Sequence, residues 1–397
     1  MSKPPSGRKP PAKQTRLLHA GGAVGAEVKT VAPPLQRGST VLVPDAKALY
    51  DTSKPTYGRL GLSMQTALAE GVGELEGSGP ARLFSSGLAA ITGVLLALLK
   101  SGDEVLVTDS VYGPSRRFCD NLLKRYGVTT RYFAPDASAD AVMAMTGPST
   151  RLILLESPGS LTFDIQDIPA ITQGARAKGI LTVIDNTWGV GLLLEPLALG
   201  VDVSVQALTK YVGGHSDVFM GSACGDDPKV MGRIDVFLRD MGIGVSPDDA
   251  YFLLRGLRTL EVRLARHGQS ALQIAQWLQD QPEVRQVLCP ALPGAPGHDL
   301  WKRDFKGLNG LFGVVLQPGS PEAVEAFIDT LPLFGLGFSW GGFESLAIHC
   351  DPQLAYRTQP PAYGGPLVRL HIGLEDPADL IADLRAALDA YGLACQP

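Results

Sequence analysis

From residue 64 to about 245 the chain alternates short, apolar, β-branched runs with helical stretches, and no other feature limits its fold as much. The runs fall at Glu104–Thr108, Thr129–Phe133, Arg151–Leu155, Leu181–Ile184 and Val201–Val205, with helical segments such as Ser115–Tyr126 and Ile168–Lys178 between them. Strand–helix–strand alternation predicts an α/β fold, a mostly parallel sheet covered by helices. Parallel strands buried on both faces read as unbroken apolar runs, and these do. Ligands of such sheets sit beyond the carboxyl ends of the strands, so the residues just after these runs are where chemistry is expected.

At 397 residues the chain exceeds what one core ordinarily organises, which predicts more than one domain. Residues 1–16 are proline-rich and basic without a single acid and are read as a disordered tail. Residues 17–63, rich in Pro and Gly, read as an irregular N-terminal arm, 64–258 as the α/β domain and 259–397 as a smaller α+β domain. One long helix from Pro247-Asp248-Asp249 to about Gln279 is expected to bridge the two, and "DPADLIADLRAALDAYG" predicts an amphipathic closing helix.

The tail lacks the apolar core of a secretory signal. The uncharged stretch Leu83–Leu99 is short for a bilayer span and reads as a buried helix, so no membrane is expected. A net charge of −5 argues against a nucleic-acid partner. Five dispersed cysteines with no CxxC pair suit a reducing cytoplasm better than a disulfide scaffold. The six histidines show no metal-ligand spacing, so no metal is expected, and His215 and His371 read as structural hydrogen-bonders.

Three strand ends carry chemistry. The run "LTVIDNTW" reaches Asp185, "VSVQALTK" reaches Lys210, and "DSVYGPS" after Glu104–Thr108 supplies Tyr112. An acid and an amine at neighbouring strand ends could form a plain buried ion pair. A Schiff-base lysine, an acid for a pyridinium nitrogen and a phosphate cradle together would instead define pyridoxal-phosphate chemistry. The cradle candidate is "FSSGLAAI", where Ser85-Ser86-Gly87 opens a helix with free N–H groups. Thr209 can add a hydroxyl, and "PTYGRLG" offers Tyr57 and Arg59, the latter a good phosphate fork.

The stretches "YGR", "SSGLAAI", "DSVYGPS", "IDNTWGVG", "TKYVGGHSD", "RGLRTLEVRL", "SWGGFESL" and "VRLHIGLED" follow one another in an order that resembles the Cys/Met-metabolism family of pyridoxal-phosphate enzymes over residues 17 to 395. The resemblance implies the fold-type I architecture, with an arm, a large cofactor domain and a smaller C-terminal domain. It implies a homotetramer of two dimers that share active sites. It further implies that Lys210 holds the cofactor covalently, Asp185 pairs with the pyridine nitrogen and Tyr112 stacks on the ring. Gly87 and Leu88 N–H groups with Thr209 would bind the phosphate, and Tyr57 and Arg59 would reach the partner subunit's site. Arg369 would clamp the substrate carboxylate, helped by the backbone around Ser339 and Trp340. Ala207 departs from the family, many members of which carry a serine three residues before the lysine.

Within the family, Trp340 and "RLHIGLED" resemble the β-cleaving members, which implies cleavage of L-cystathionine to homocysteine, pyruvate and ammonia on the way to methionine, with other cysteine S-conjugates as further substrates. A γ-acting member is the main alternative. A different class is offered by "GFSWG", which fits a hydrolase nucleophile elbow at Ser339, with Asp351 and His371 following in hydrolase order. A nucleotide-binding module is disfavoured, since no G-x-G-x-x-G follows a strand and no Walker loop is present.

Overall fold

The computed structural model describes residues 11–20, 30–51 and 53–396. Seven strands form the main sheet: β1 (Arg82–Phe84), β2 (Glu104–Thr108), β3 (Thr129–Phe133), β4 (Thr150–Glu156), β5 (Leu181–Asp185), β6 (Val203–Ala207) and β7 (Gly221–Cys224). Their order is β1-β7-β6-β5-β4-β2-β3, and only β7 runs against the rest. The five expected runs are therefore β2 to β6, with β6 beginning two residues later than its sequence pattern suggests. Alternate residues of each strand feed two apolar clusters. Ile153, Leu155 and Ile184 join one and Leu152, Leu154 and Val183 the other, so both faces are covered.

The second sheet contains β8 (Val284–Leu288), β9 (Leu311–Leu316), β10 (Gly335–Leu336), β11 (Leu346–His349) and β12 (Leu367–His371), in the order β10-β11-β12-β9-β8. The cluster on one face of the main sheet continues through Phe312, Val314 and Leu370 of this second sheet. A single apolar core thus links the two layers, and Arg369 of β12 lines the same cavity as Asp185 of β5 and Ala207 of β6.

Two expectations are corrected. Residues 1–10 of the tail lie outside the described residues, but Lys13–Leu18 is a short helix. Lys13 pairs with Glu195 at 2.8 Å and Arg16 with Glu74 at 2.6 Å, ion pairs that no local composition could reveal. The long helix expected from 247 to 279 is two, Pro247–Leu257 and Leu260–Gln279. The Gly256 carbonyl accepts from the Thr259 N–H and from Arg263 Nη2 at 2.8 Å, which interrupts the helical ladder. A Cβ at Gly256 would meet the Val212 and Gly213 carbonyls at 2.3 and 2.5 Å, so glycine lets this bend press on the segment just after Lys210. Arg263 then ties that segment down by donating to the Tyr211 carbonyl at 2.7 Å. Among the described residues no helix is long and apolar enough to cross a membrane, and the Leu83–Leu99 stretch divides between the end of β1 and the helix Gly87–Leu98.

His267 is fully buried, its Nδ1 on the Ile372 carbonyl at 2.7 Å, and burial pushes its pKa down to about 4. Its value in an unfolded chain is higher, about 6.5, so between these values the unfolded state binds the extra proton. The stability His267 contributes is complete above about pH 6.5 and is lost as pH falls towards 4. The destabilisation caused by H267Q should therefore shrink by as much as roughly 3 kcal/mol between pH 7.5 and pH 4.5, read from urea unfolding of both proteins at each pH.

Candidate active site

The carboxyl ends of β2, β4, β5 and β6 open into one cavity of about 360 Å³, closed from the other side by the segment around Ser339 and by Arg369 of β12. Gly87, Leu88, Tyr112, Asp185, Thr209, Lys210, Ser339, Trp340 and Arg369 all line it. Tyr57 and Arg59 do not. They border a separate hollow with Gly38, Gly244 and Pro247. Nine of the eleven residues expected at the site are thus together within this chain, and the two on the arm lie apart.

Lys210 follows β6 at the first turn beyond the strand. Its Nζ donates to Ser339 Oγ at 2.7 Å and lies 5.4 Å from the centre of the Trp340 ring. Burial, and then the Arg369 charge, pull its pKa down to about 8, with Asp185 opposing. An ammonium is costly here and a neutral amine is accessible. In the cofactor-free protein, imine formation between Lys210 and added pyridoxal phosphate should rise with pH about a midpoint near 8, not near the ordinary lysine value of 10.5. Stopped-flow absorbance across pH 6.5 to 10 checks this, and a midpoint above roughly 9.5 would contradict the site's electrostatics.

Asp185 ends β5 and is almost fully buried. Its Oδ1 accepts from the Thr187 N–H at 3.0 Å and from the Thr187 hydroxyl, whose oxygen in turn accepts the Ala207 N–H at 2.9 Å. No donor among the described residues reaches Oδ2. Burial raises the Asp185 pKa while the Thr187 donors and Lys210 draw it back. The carboxylate is thus held by one oxygen and turns the other to the cavity, suited to a cationic ring N–H.

The helix Gly87–Leu98 points its first turn at the same space. Ser86 Oγ accepts the Ala89 N–H at 3.1 Å, which leaves the Gly87 and Leu88 N–H groups without an acceptor among the described residues. Two free donors at a helix start make an anion seat. A Cβ at Gly87 would lie 2.4 Å from that of Ala207, so this helix start packs directly on the end of β6. The hydroxyl of Thr209 is engaged differently from expectation: it donates to the Met220 carbonyl at 3.2 Å and accepts the Met220 N–H at 3.1 Å.

Arg369 is the least compensated group. It is nearly buried, and its Nη2 donates to the carbonyls of Gly337, Phe338 and Ser339 at 3.4, 3.1 and 2.9 Å. Its Nε has no partner, and no carboxylate pairs with it among the described residues. Burial lowers its pKa to about 10. A desolvated guanidinium is unfavourable without an anion and favourable beside a carboxylate, so Arg369 suits a carboxylate ligand.

The segment carrying Ser339 is itself clamped. His371 Nε2 accepts the Gly341 N–H at 3.0 Å, and its Nδ1 donates to the Glu344 carbonyl at 3.0 Å. Gly341 has φ +86°, and a Cβ there would meet the Tyr211 nitrogen at 2.8 Å. Both His371 nitrogens are occupied, Asp351 pairs with His349, and Ser339 Oγ belongs to Lys210. The hydrolase triad is therefore not assembled, and no helix follows Ser339 as an elbow requires. Sequence reasoning missed Glu156 and Thr187. Glu156 sits in the bland stretch "LLESPGS", and only strand register brings it to the site, its Oε2 accepting the Tyr112 N–H at 2.7 Å.

Cavity, amine, acid, helix start and unpaired guanidinium together fit pyridoxal phosphate: an aldehyde acceptor, a pyridine nitrogen, a phosphate and an amino-acid carboxylate each find a complementary group. Comparison with known proteins agrees. Residues 14–389 match the family described as Cys/Met metabolism PLP-dependent enzyme. A putative cystathionine β-lyase of Rhizobium johnstonii is 46% identical over 382 residues, covering 95% of this chain and 96% of that protein. A cystathionine β-lyase of Escherichia coli is 41% identical over 385 residues, covering 94% and 97%. The crystal structure of a cystathionine γ-synthase from Xanthomonas oryzae pv. oryzae in complex with cystathionine superposes with a TM-score of 0.91 at 32% identity, over 97% of this chain and all of that one. The fold-type I architecture expected from the motifs is the one observed.

Proposed function

The chain belongs to the Cys/Met metabolism family of pyridoxal-phosphate-dependent enzymes, and from that premise we propose a carbon–sulfur β-lyase that cleaves L-cystathionine to homocysteine, pyruvate and ammonia in methionine biosynthesis. Bound pyridoxal phosphate supplies an electron sink for the charge left at the substrate Cα. Everything else falls to the chain's own residues. Lys210 would hold the cofactor covalently, and its Nζ would take the proton from the substrate Cα, a role its depressed pKa favours. Asp185, with Oδ1 held by Thr187, would keep the cofactor's ring nitrogen protonated. Tyr112, whose phenol is kept protonated by burial and by the Asp185 carboxylate, would lie against the cofactor ring and hold a proton for the departing sulfur.

Gly87 and Leu88 N–H groups take the phosphate, and Thr209 joins them by turning its proton from the Met220 carbonyl. Arg369 takes the substrate carboxylate beside Ser339 and Trp340. The observation that carries this reading is that Lys210 and Arg369 are held by the same short segment, the amine on Ser339 Oγ and the guanidinium on the Ser339 carbonyl. Proton transfer and carboxylate recognition thereby keep a set separation.

The proposal includes a homotetramer, supported by Tyr57 and Arg59 lying outside their own chain's cavity, where a second copy's cavity would use them. It includes a cytoplasmic site of action, supported by five unpaired cysteines, four of them buried. It keeps the domain division at 64–258 and 259–397, supported by the two sheets. The second reading is a γ-acting member, favoured by the likeness to the cystathionine γ-synthase structure. Incubating the holoenzyme with L-cystathionine separates them. Pyruvate with homocysteine is expected, whereas 2-oxobutyrate with cysteine would replace the β-lyase by γ-elimination.

A further inference from the structure

Two carboxyl groups end neighbouring strands in the cavity, and only Asp185 has a role so far. Glu156 closes β4 and Asp185 closes β5, and the parallel ladder sets them opposite one another. Register partners on adjacent strands face the same side about 5 Å apart. Like charges at register partners lining one cavity do not both ionise readily, so one proton stays with the pair at neutral pH. The surrounding donors decide where. Asp185 receives two from Thr187 and faces the Lys210 charge. Glu156 receives one, the Tyr112 N–H at 2.7 Å. The cation that favours its charged form, Arg357, donates to the Ser160 carbonyl and also faces Asp109, Asp164 and Tyr363.

We propose that Glu156 is a positioning residue of the cofactor site: a neutral carboxylic acid that anchors the Tyr112 backbone through Oε2 and leaves Asp185 as the one ionised carboxylate facing the cofactor nitrogen. The inference rests on the reading of Asp185 given above. Burial drives the Glu156 pKa well above the usual carboxyl range and the Asp185 charge adds to it, with the Tyr112 N–H and Arg357 opposing. An ionised Glu156 would put a second negative charge beside the space that receives the substrate carboxylate. As a neutral acid it holds the Tyr112 backbone, from which the ring reaches over the cavity, and adds no charge there.

The test uses the holoenzyme and the variants E156Q and E156A, with thermal melts to establish folding. Infrared difference spectra at pH 7.5 should show a protonated carboxylic acid band in the parent protein that is missing from E156Q. E156A should weaken cofactor affinity by roughly tenfold and alter the visible dichroism of the bound cofactor, because the Tyr112 N–H loses its acceptor. E156Q, neutral and still an acceptor, should restore both. An unchanged acid band in E156Q, or an E156Q as defective as E156A, overturns the proposal. D185N separates this from failure of the underlying reading: if Asp185 does not face the cofactor nitrogen, D185N leaves the pH titration of the cofactor's colour untouched. If only the Glu156 proposal is wrong, D185N still shifts that titration.

Discussion

K210A should lower kcat for L-cystathionine by roughly four to six orders of magnitude, the largest effect expected of any single substitution here. The size follows from two losses at one atom. Nζ is both the amine available to an aldehyde and the base proposed for the substrate Cα, and among the described residues no other amine borders the cavity. Burial and Arg369 bring its pKa to about 8, so the parent protein has a usable neutral amine that a surface lysine lacks. K210A should still fold, since the side chain's recorded hydrogen bond goes only to Ser339 and the segment stays clamped by Arg369 and His371. Steady-state kinetics, with borohydride reduction and peptide mapping, give the check. Activity within a hundredfold of the parent, or a pyridoxyl adduct away from position 210, would remove the proposed mechanism.

R369M should lower kcat/KM by about two to four orders of magnitude, mostly through KM. The buried guanidinium has a free Nε and no carboxylate partner among the described residues, so the substrate supplies the missing anion. R369K should recover only part of the loss, because an ammonium cannot form the planar two-point contact. The control is an inhibitor pair: glycine should bind R369M far more weakly than the parent, whereas methylamine should bind both alike. Equal weakening of both would mean that the substitution has merely disturbed the segment at Gly337–Ser339.

Much of this site was legible in the sequence because strand ends are encoded locally. An apolar β-branched run that stops at an acid or an amine marks where a buried strand meets the cavity, and Asp185 and Lys210 were found that way. The free N–H groups at Gly87 and Leu88 follow from a serine-glycine helix start in the same local fashion. The motif order did the rest for Tyr112, Ser339, Trp340 and Arg369. The hydrolase elbow at Ser339 shows the limit: five residues matched, but a triad is a spatial object, and His371 and Asp351 have other partners.

Chain periodicity and a few punctuating residues by themselves determined the α/β class, five of the seven strands of the main sheet (β2 to β6) and the two reactive groups at the ends of β5 and β6, because side-chain burial repeats along the backbone with the period of each element. Only the tertiary structure decided that Lys210 rests on Ser339, that Glu156 lies opposite Asp185, that no carboxylate among the described residues pairs with Arg369 and that the helix after Pro247 breaks at Arg258–Thr259. Each of these depends on segments distant in the chain being pressed together. Register between strands and the loss of water around a charge arise only at that contact, so no local pattern could carry them.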